Sequence, residues 1–207
     1  MTTTKYLSCA DTAKLLRAAL KEAFPGVKFG VRSSVYSGGA SIYVKWTDGP
    51  TGAQVKAICD KFEGAYFDGM IDYKGTQYHS LDGQAVHFGA DFIFGNRDYS
   101  DALLERAIAT VAAAYGGCEP VTVEDWRKGL AWGWKNSGGC DLHQAVRDWL
   151  GGRDHGIAGC DSGRVARESA TLARVAFTGD DGYGAGTVGR DGTGRDCGHG
   201  YAQFARG

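Results

Sequence analysis

No stretch of this chain of 207 residues approaches the run of about eighteen apolar residues that a membrane-crossing helix needs, so a membrane partner is not expected. The opening MTTTKYLSCADTAKLL has neither the apolar core nor the small-residue cleavage site of an export signal, which points to a cytoplasmic protein. Six cysteines (Cys9, Cys59, Cys118, Cys140, Cys160 and Cys197) are spread widely and form no C-x-x-C pair, so reduced thiols are expected and a disulfide framework is not. Catalytic signatures are missing too. There is no nucleophile elbow with Ser, His and Asp in order, no H-E-x-x-H and no paired carboxylates in a recognisable motif, and the Gly-Arg and Gly-Asp steps near the end resemble neither a P-loop nor a dinucleotide fingerprint. A non-enzymatic protein without a cofactor is the expectation.

Net charge is also nearly absent, at -1, but the sum conceals an uneven distribution. Residues 1–45 hold seven Lys or Arg against two acids, and residues 46–101 hold nine acids against four bases. A basic opening attracts phosphate, whereas the acidic segment beside it disfavours non-specific nucleic-acid binding. The hydrophobic fraction of 43% is enough for the core of one ordinary domain with an appendage.

What is present is a clear strand. In GGASIYVKWTDGPTG, residues 38–52, Ala40, Ile42, Val44 and Trp46 alternate with Ser41, Tyr43, Lys45 and Thr47, the period of a strand with one buried face. Before it, VKFGVRSSV (27–35) and the turn Tyr36-Ser37-Gly38-Gly39 predict a hairpin. Earlier still, Ala10, Ala13, Leu16, Leu20 and Ala23 form a helical stripe, capped by Ser8 or Asp11 and ended by Pro25-Gly26. Lys14, Arg17 and Lys21 share one flank of that helix, which reads first as a solvated face.

After the strand, Thr51 caps a helix with Val55, Ile58, Cys59 and Phe62 on one side. Gly49-Pro50-Thr51-Gly52 has the G-x-x-G form with which KH domains clamp a nucleic-acid backbone, but it joins a strand to a helix here and is read as turn chemistry. The aromatic, acidic run 65–100 contains strands around the Asp82-Gly83 turn and a second turn at Asp68-Gly69. Its aromatics, Tyr66, Phe67, Tyr73, Tyr78, Phe88, Phe92 and Phe94, are expected mainly in the core, with base stacking as the alternative. His79 and His87 flank Asp82-Gly83 as a pair facing across the hairpin. Ser100 or Asp101 then caps an alanine-rich helix over 102–115. The order α-β-β-α-β-β-α defines an α+β fold, a small antiparallel sheet with helices packed on one face.

Four runs, YLSCADTAKLLRAALKEAFPGVKFGVRSS, GGASIYVKWTDGPT, FEGAYFDGMIDYK and HFGADFIFGNRDYS, together resemble the large polyvalent protein-associated domain numbered twenty-nine in its series. The likeness covers residues 5–115 or so. It implies a setting in phages and conjugative elements, beside anti-restriction and DNA-processing modules, and it carries over no catalytic motif.

From Glu119-Pro120 the composition changes. A capping pattern at Thr122 and Asp125 starts a short helix with Trp126, Leu130, Trp132 and Trp134 as bulky anchors, and Asp141 caps DLHQAVRDWL. Cys140 and His143, followed by His155 and Cys160, have the ligand types of a four-coordinate zinc site, but their spacing matches no common finger and no metal is assigned. Residues 162–177 are read as a further helix. The organisation expected is a domain over 5–116, a Trp-rich helical appendage over 117–177 and a Gly-rich flexible tail over 178–207.

Two functional readings follow. In the first, a mobile-element accessory protein acts against host defence, of the anti-restriction or anti-CRISPR type, by binding a defence protein or complex. Its contact residues would be Asp68, Asp72, Tyr73 and Asp91, on an acidic, aromatic face able to imitate nucleic acid. In the alternative, Lys14, Arg17, Lys21 and Arg32 bind DNA or RNA during transfer or processing. The sequence assigns no oligomeric state.

Overall fold

The computed structural model describes residues 4–152 and 167–183. In chain order the elements are β1 Lys5–Leu7, α1 Cys9–Ala23, β2 Gly30–Tyr36, β3 Gly39–Thr47, α2 Gly52–Cys59, β4 Ala65–Asp68, β5 Tyr73–Leu81, β6 Gln84–Phe88 and β7 Phe92–Asp98. They continue with α3 Asp101–Tyr115, α4 Val123–Arg127, α5 Leu142–Gly151, α6 Ala170–Ala173 and β8 Val175–Asp180.

Helix starts follow the local chemistry. Ser8 accepts from Asp11 N at 3.1 Å to cap α1, and Thr51 and Gln54 form a reciprocal capping box at α2, with bonds of 3.2 and 2.7 Å. Ser100, Thr122 and Asp141 cap α3, α4 and α5 in the same way. Gly116, with φ of 59°, ends α3 in a backbone conformation that a side chain would strain.

The fold is α+β, as expected, but its strands divide between two sheets. One has the order β2-β3-β7, with β2 antiparallel and β7 parallel to β3. The other runs β1-β6-β5-β4, with β8 added antiparallel to β5 and β1 parallel to β6. The single antiparallel sheet expected from hairpin signals is thus corrected: turns reveal only neighbours in sequence, and both parallel pairs join distant segments. Ala40, Ile42, Val44 and Trp46 are all buried, so β3 fills the central place predicted for it. The sheets share one core, in which Leu16 and Leu20 of α1 and Val55 and Ile58 of α2 meet β3 and also Val86 and Phe88 of β6.

A second core lies outside both sheets. Leu103, Leu104, Ala107, Ile108 and Val111 of α3 pack with Trp134 and with Leu142, Val146 and Leu150 of α5. Helix α3 therefore turns its apolar side to the Trp-rich segment, although sequence placed it with the sheet. Trp134 is the anchor, and its indole N–H donates to Glu119 O at 2.9 Å. Leu130 and Trp132, expected as anchors of the same helix, are exposed. Helix α4 ends at Arg127, and Gly129 and Gly133 at φ of 75° and 81° bend the chain before the stripe can continue. Leu142→Ala is expected to cost about 2–5 kcal/mol. In NMR, indole signals of Trp126, Trp134 and Trp149 should shift while that of Trp46, in the first core, holds its position.

Residues 175–177, read in sequence as the end of a helix, and 178–180, read as the start of the tail, instead form β8. Three carboxylates, two on the body of the fold and one on the segment itself, tie β8 and its flanks in place. Glu22 of α1 accepts from Ser169 Oγ, Thr171 N and Thr171 Oγ1 at 2.7, 2.9 and 2.8 Å, and the Thr171 amide foremost holds its pKa below the usual carboxylate value. Asp82 takes a forked bond from Arg174, and Asp181 accepts from Tyr66 and Tyr73.

Candidate partner-binding surface

Of the four contact residues expected from sequence, Asp68, Asp72 and Tyr73 cluster around the β4–β5 hairpin. Asp68 closes β4 and its Oδ1 accepts from Met70 N at 2.9 Å, while Asp72 takes φ of 51° where the chain enters β5. Between them the turn carries Met70, 88% exposed, and Ile71, also exposed, with Phe67 exposed on the outgoing strand. Asp68 and Asp72 therefore bracket an apolar tip.

Tyr73 stands at the base of this tip and is half-buried. Its hydroxyl donates to Asp181 Oδ2 at 3.0 Å, Tyr66 donates to Oδ1 at 2.6 Å, and Thr76 N donates to Oδ2 at 2.7 Å. The Tyr66 hydroxyl is the foremost cause of the lowered Asp181 pKa, and the bond to Asp181 is the first cause of the raised Tyr73 pKa. Gly75 is required here because the Tyr66 ring lies across it, 2.1 Å from where a Cβ would sit. The hairpin is rigid at its root while its tip remains in solvent.

Asp91 belongs to a different place. Its Oδ2 accepts from Ala40 N at 3.1 Å and from Lys74 Nζ at 2.7 Å, joining the start of β3 to β5. It orders the junction of the two sheets, and is not brought to the tip. Sequence reasoning missed Met70 and Ile71; the signal available was an apolar pair inside a turn, outside any period.

The four basic residues of the nucleic-acid reading do not form one patch. Lys14 pairs with Asp11 at 2.8 Å, Arg17 donates to Val31 O at 2.9 Å, and Lys21 is exposed in the last turn of α1. Arg32 projects from the opposite side of the sheet, since its neighbour Val31 points into the core. The G-x-x-G loop serves as a brace: Arg97 donates to Asp48 O, Gly49 O and Leu150 O at 3.3, 2.7 and 3.1 Å, tying the first sheet to α5.

His79 and His87 do not face each other. The register His79↔Val86 places His87 one step along, and so on the other side of the sheet. His79 is buried, whereas His87 stacks on Tyr6. Of the four residues weighed as zinc ligands, Cys140 is exposed and His143 lies between the rings of Trp126 and Trp132, at 4.6 and 5.1 Å. His155 and Cys160 fall outside the described residues, and among the described residues no three ligand-type side chains converge. Nor, among them, is any helix long and apolar enough to cross a membrane. Of the aromatics expected in the core, Phe88 is buried, while Phe67, Tyr78 and Phe94 are exposed.

Fold and surface together define an α+β domain whose exposed features are an apolar hairpin tip and a sheet face bearing aromatic side chains. Residues 7–100, a little under half of the chain, match the model of a family described as Large polyvalent protein associated domain 29. The match ends at Ser100, the cap of α3, where the second core begins. No curated protein and no solved structure matches the chain.

Proposed function

We propose that the chain is a non-enzymatic accessory protein of a phage or other mobile element that acts against a host defence protein by docking the β4–β5 tip on it. The observation that carries this reading is the exposure of Met70 and Ile71 between Asp68 and Asp72, with Phe67 exposed just before Asp68. An apolar tip held in water on a rigid base gains free energy when a pocket covers it, and the unbranched methionine adapts to an irregular pocket. The flanking carboxylates select a basic rim and speed encounter with it, as on a protein surface that otherwise holds nucleic acid.

The test is plating efficiency of a restricted phage on hosts that carry a restriction or CRISPR system and express the protein. Wild type is expected to raise plating, and Met70→Asp with Ile71→Asp, or Asp68→Lys with Asp72→Lys, is expected to abolish the effect. Lys14→Glu with Lys21→Glu should leave it intact. Protection by both tip variants at wild-type level would sink the proposal.

A further inference from the structure

The geometry points to a second site, independent of the hairpin tip: the outer face of the β2-β3-β7 sheet as a stacking platform for the bases of a single-stranded nucleic acid. The inner face of this sheet is spent on the core, because Val31, Ile42, Val44, Trp46 and Ile93 are buried against α1 and α2. Strand alternation then sends Arg32, Tyr43, Lys45, Phe92 and Phe94 to the other side. Arg32, Tyr43 and Phe94 lie in one row across the three strands, since β2 pairs Arg32 with Tyr43 and β7 pairs Phe94 with Tyr43.

Tyr43 is 46% exposed and Phe94 50%, although aromatic side chains of this size are ordinarily covered. Their ring centroids are 5.5 Å apart, and Phe92 continues the surface 6.4 Å from Phe94. No described element packs over these rings. Arg32 stands at one end of the aromatic row, and Lys45 follows Tyr43 on the same face. Among the described residues neither cation makes a hydrogen bond or a salt bridge. The rows from Ser34 to Lys45 contain no acid; Asp98, the first on this face, lies beyond them and pairs with Arg127 at 3.2 Å.

Flat rings on a rigid sheet with cations beside them that make no hydrogen bond, Lys45 sharing only the field of Asp98, match a chain that alternates π-faces and phosphates. Bases in a duplex have no free π-face to offer, and two cations are too few to hold a duplex by its phosphates alone. A protein-docking face would be depleted in lysine at its centre.

The experiment is fluorescence anisotropy of the full chain with labelled single-stranded DNA and RNA of about 12 nucleotides and with the matching duplexes, at about 50 and about 200 mM salt. Wild type is expected to bind single strands in preference to duplexes. Tyr43→Ala with Phe94→Ala should weaken single-strand binding about tenfold or more, and Arg32→Glu with Lys45→Glu should weaken it and flatten its salt dependence. Tyr43→Leu with Phe94→Leu keeps apolar bulk on the strands, removes the π-faces, and should lose as much affinity as the alanine pair. Met70→Asp should bind normally, which separates this site from the hairpin reading. The proposal is overturned by absence of single-strand binding at low salt, by preference for duplex, by wild-type affinity in the leucine pair, or by sedimentation showing that these variants only dissolve a self-association.

Discussion

Gly64→Ala is expected to destabilise the first core by about 4 kcal/mol or more, among the largest effects available to a single methyl group. A Cβ built at this buried position would lie 2.0 Å from the Phe88 carbonyl oxygen and 3.4 Å from that of Ala90. Those atoms are backbone, so no rotamer change relieves the overlap. The chain cannot retreat either, because Gly64 N donates to Ala90 O at 2.8 Å and Gly64 O accepts from Gln77 N at 2.9 Å. Moving Gly64 breaks a link among the approach to β4, the strand β5 and the connection from β6 to β7. Gly52→Ala is the control, since nothing lies within 4 Å of its added methyl and it occupies the first turn of α2. That change should be neutral or slightly stabilising. Urea midpoints measured side by side decide the matter: a Gly64→Ala midpoint equal to wild type would show that the close approach to Phe88 is not real.

The second large effect is a dependence of stability on pH centred on His79. This side chain is 1% exposed, packs between Phe88 and Phe177 at 5.0 and 5.7 Å, and finds no hydrogen-bond partner for either ring nitrogen among the described residues. Burial, with a smaller contribution from the charge of His87, pushes its pKa down from 6.5 to about 4. The sign follows from which state takes up the proton first. Between pH 6.5 and about 4 the unfolded chain protonates this histidine and the folded chain does not, so stability falls as pH falls. Above that window the full stability is present. The whole descent amounts to about 3 kcal/mol for this one group.

The anchoring carboxylates Glu22, Asp82 and Asp181 have lowered pKa values, so their contributions are lost only nearer the ordinary carboxylate range and leave the upper part of the window to the histidine. His79→Leu should therefore flatten the urea midpoint between pH 7 and about 5, and should remove two unsatisfied ring nitrogens from the core. A slope in His79→Leu as steep as in wild type would assign the effect elsewhere.

Neither position announces itself in sequence, and the reason is the same for both. Gly64 reads as an ordinary helix stop after Phe62, and its close neighbours, Phe88 and Ala90, are more than twenty residues away. His79 reads as a surface hairpin residue, because burial on that face is supplied by Phe177 and the other residues of β8, about a hundred positions later. Parity does part of the work in advance: a two-residue turn at Asp82-Gly83 already places His79 and His87 on opposite faces. The candidate tip was half visible. Asp68 and Asp72 are turn residues with a local signature, whereas the exposure of Met70 and Ile71 depends on nothing else in the fold reaching them.

Local chemistry was enough for the caps at Thr51, Thr122 and Asp141, narrowed two others to Ser8 or Asp11 and Ser100 or Asp101, and was enough for the hairpins at Ser37-Gly38 and Asp82-Gly83 and for the buried face of β3. Each depends on residues within a few positions of one another, where side-chain oxygens meet helix amides or a period of two meets a core. Tertiary contacts alone settled the split into two sheets, the parallel union of β3 with β7, the turning of α3 toward the Trp-rich segment, and the recruitment of β8. Those outcomes rest on free-energy differences between distant pairings, which no single window of sequence contains. The outer sheet face joins the two levels: alternation placed Tyr43 and Lys45 on one side of β3, and long-range pairing set Arg32 and Phe94 on either side of Tyr43.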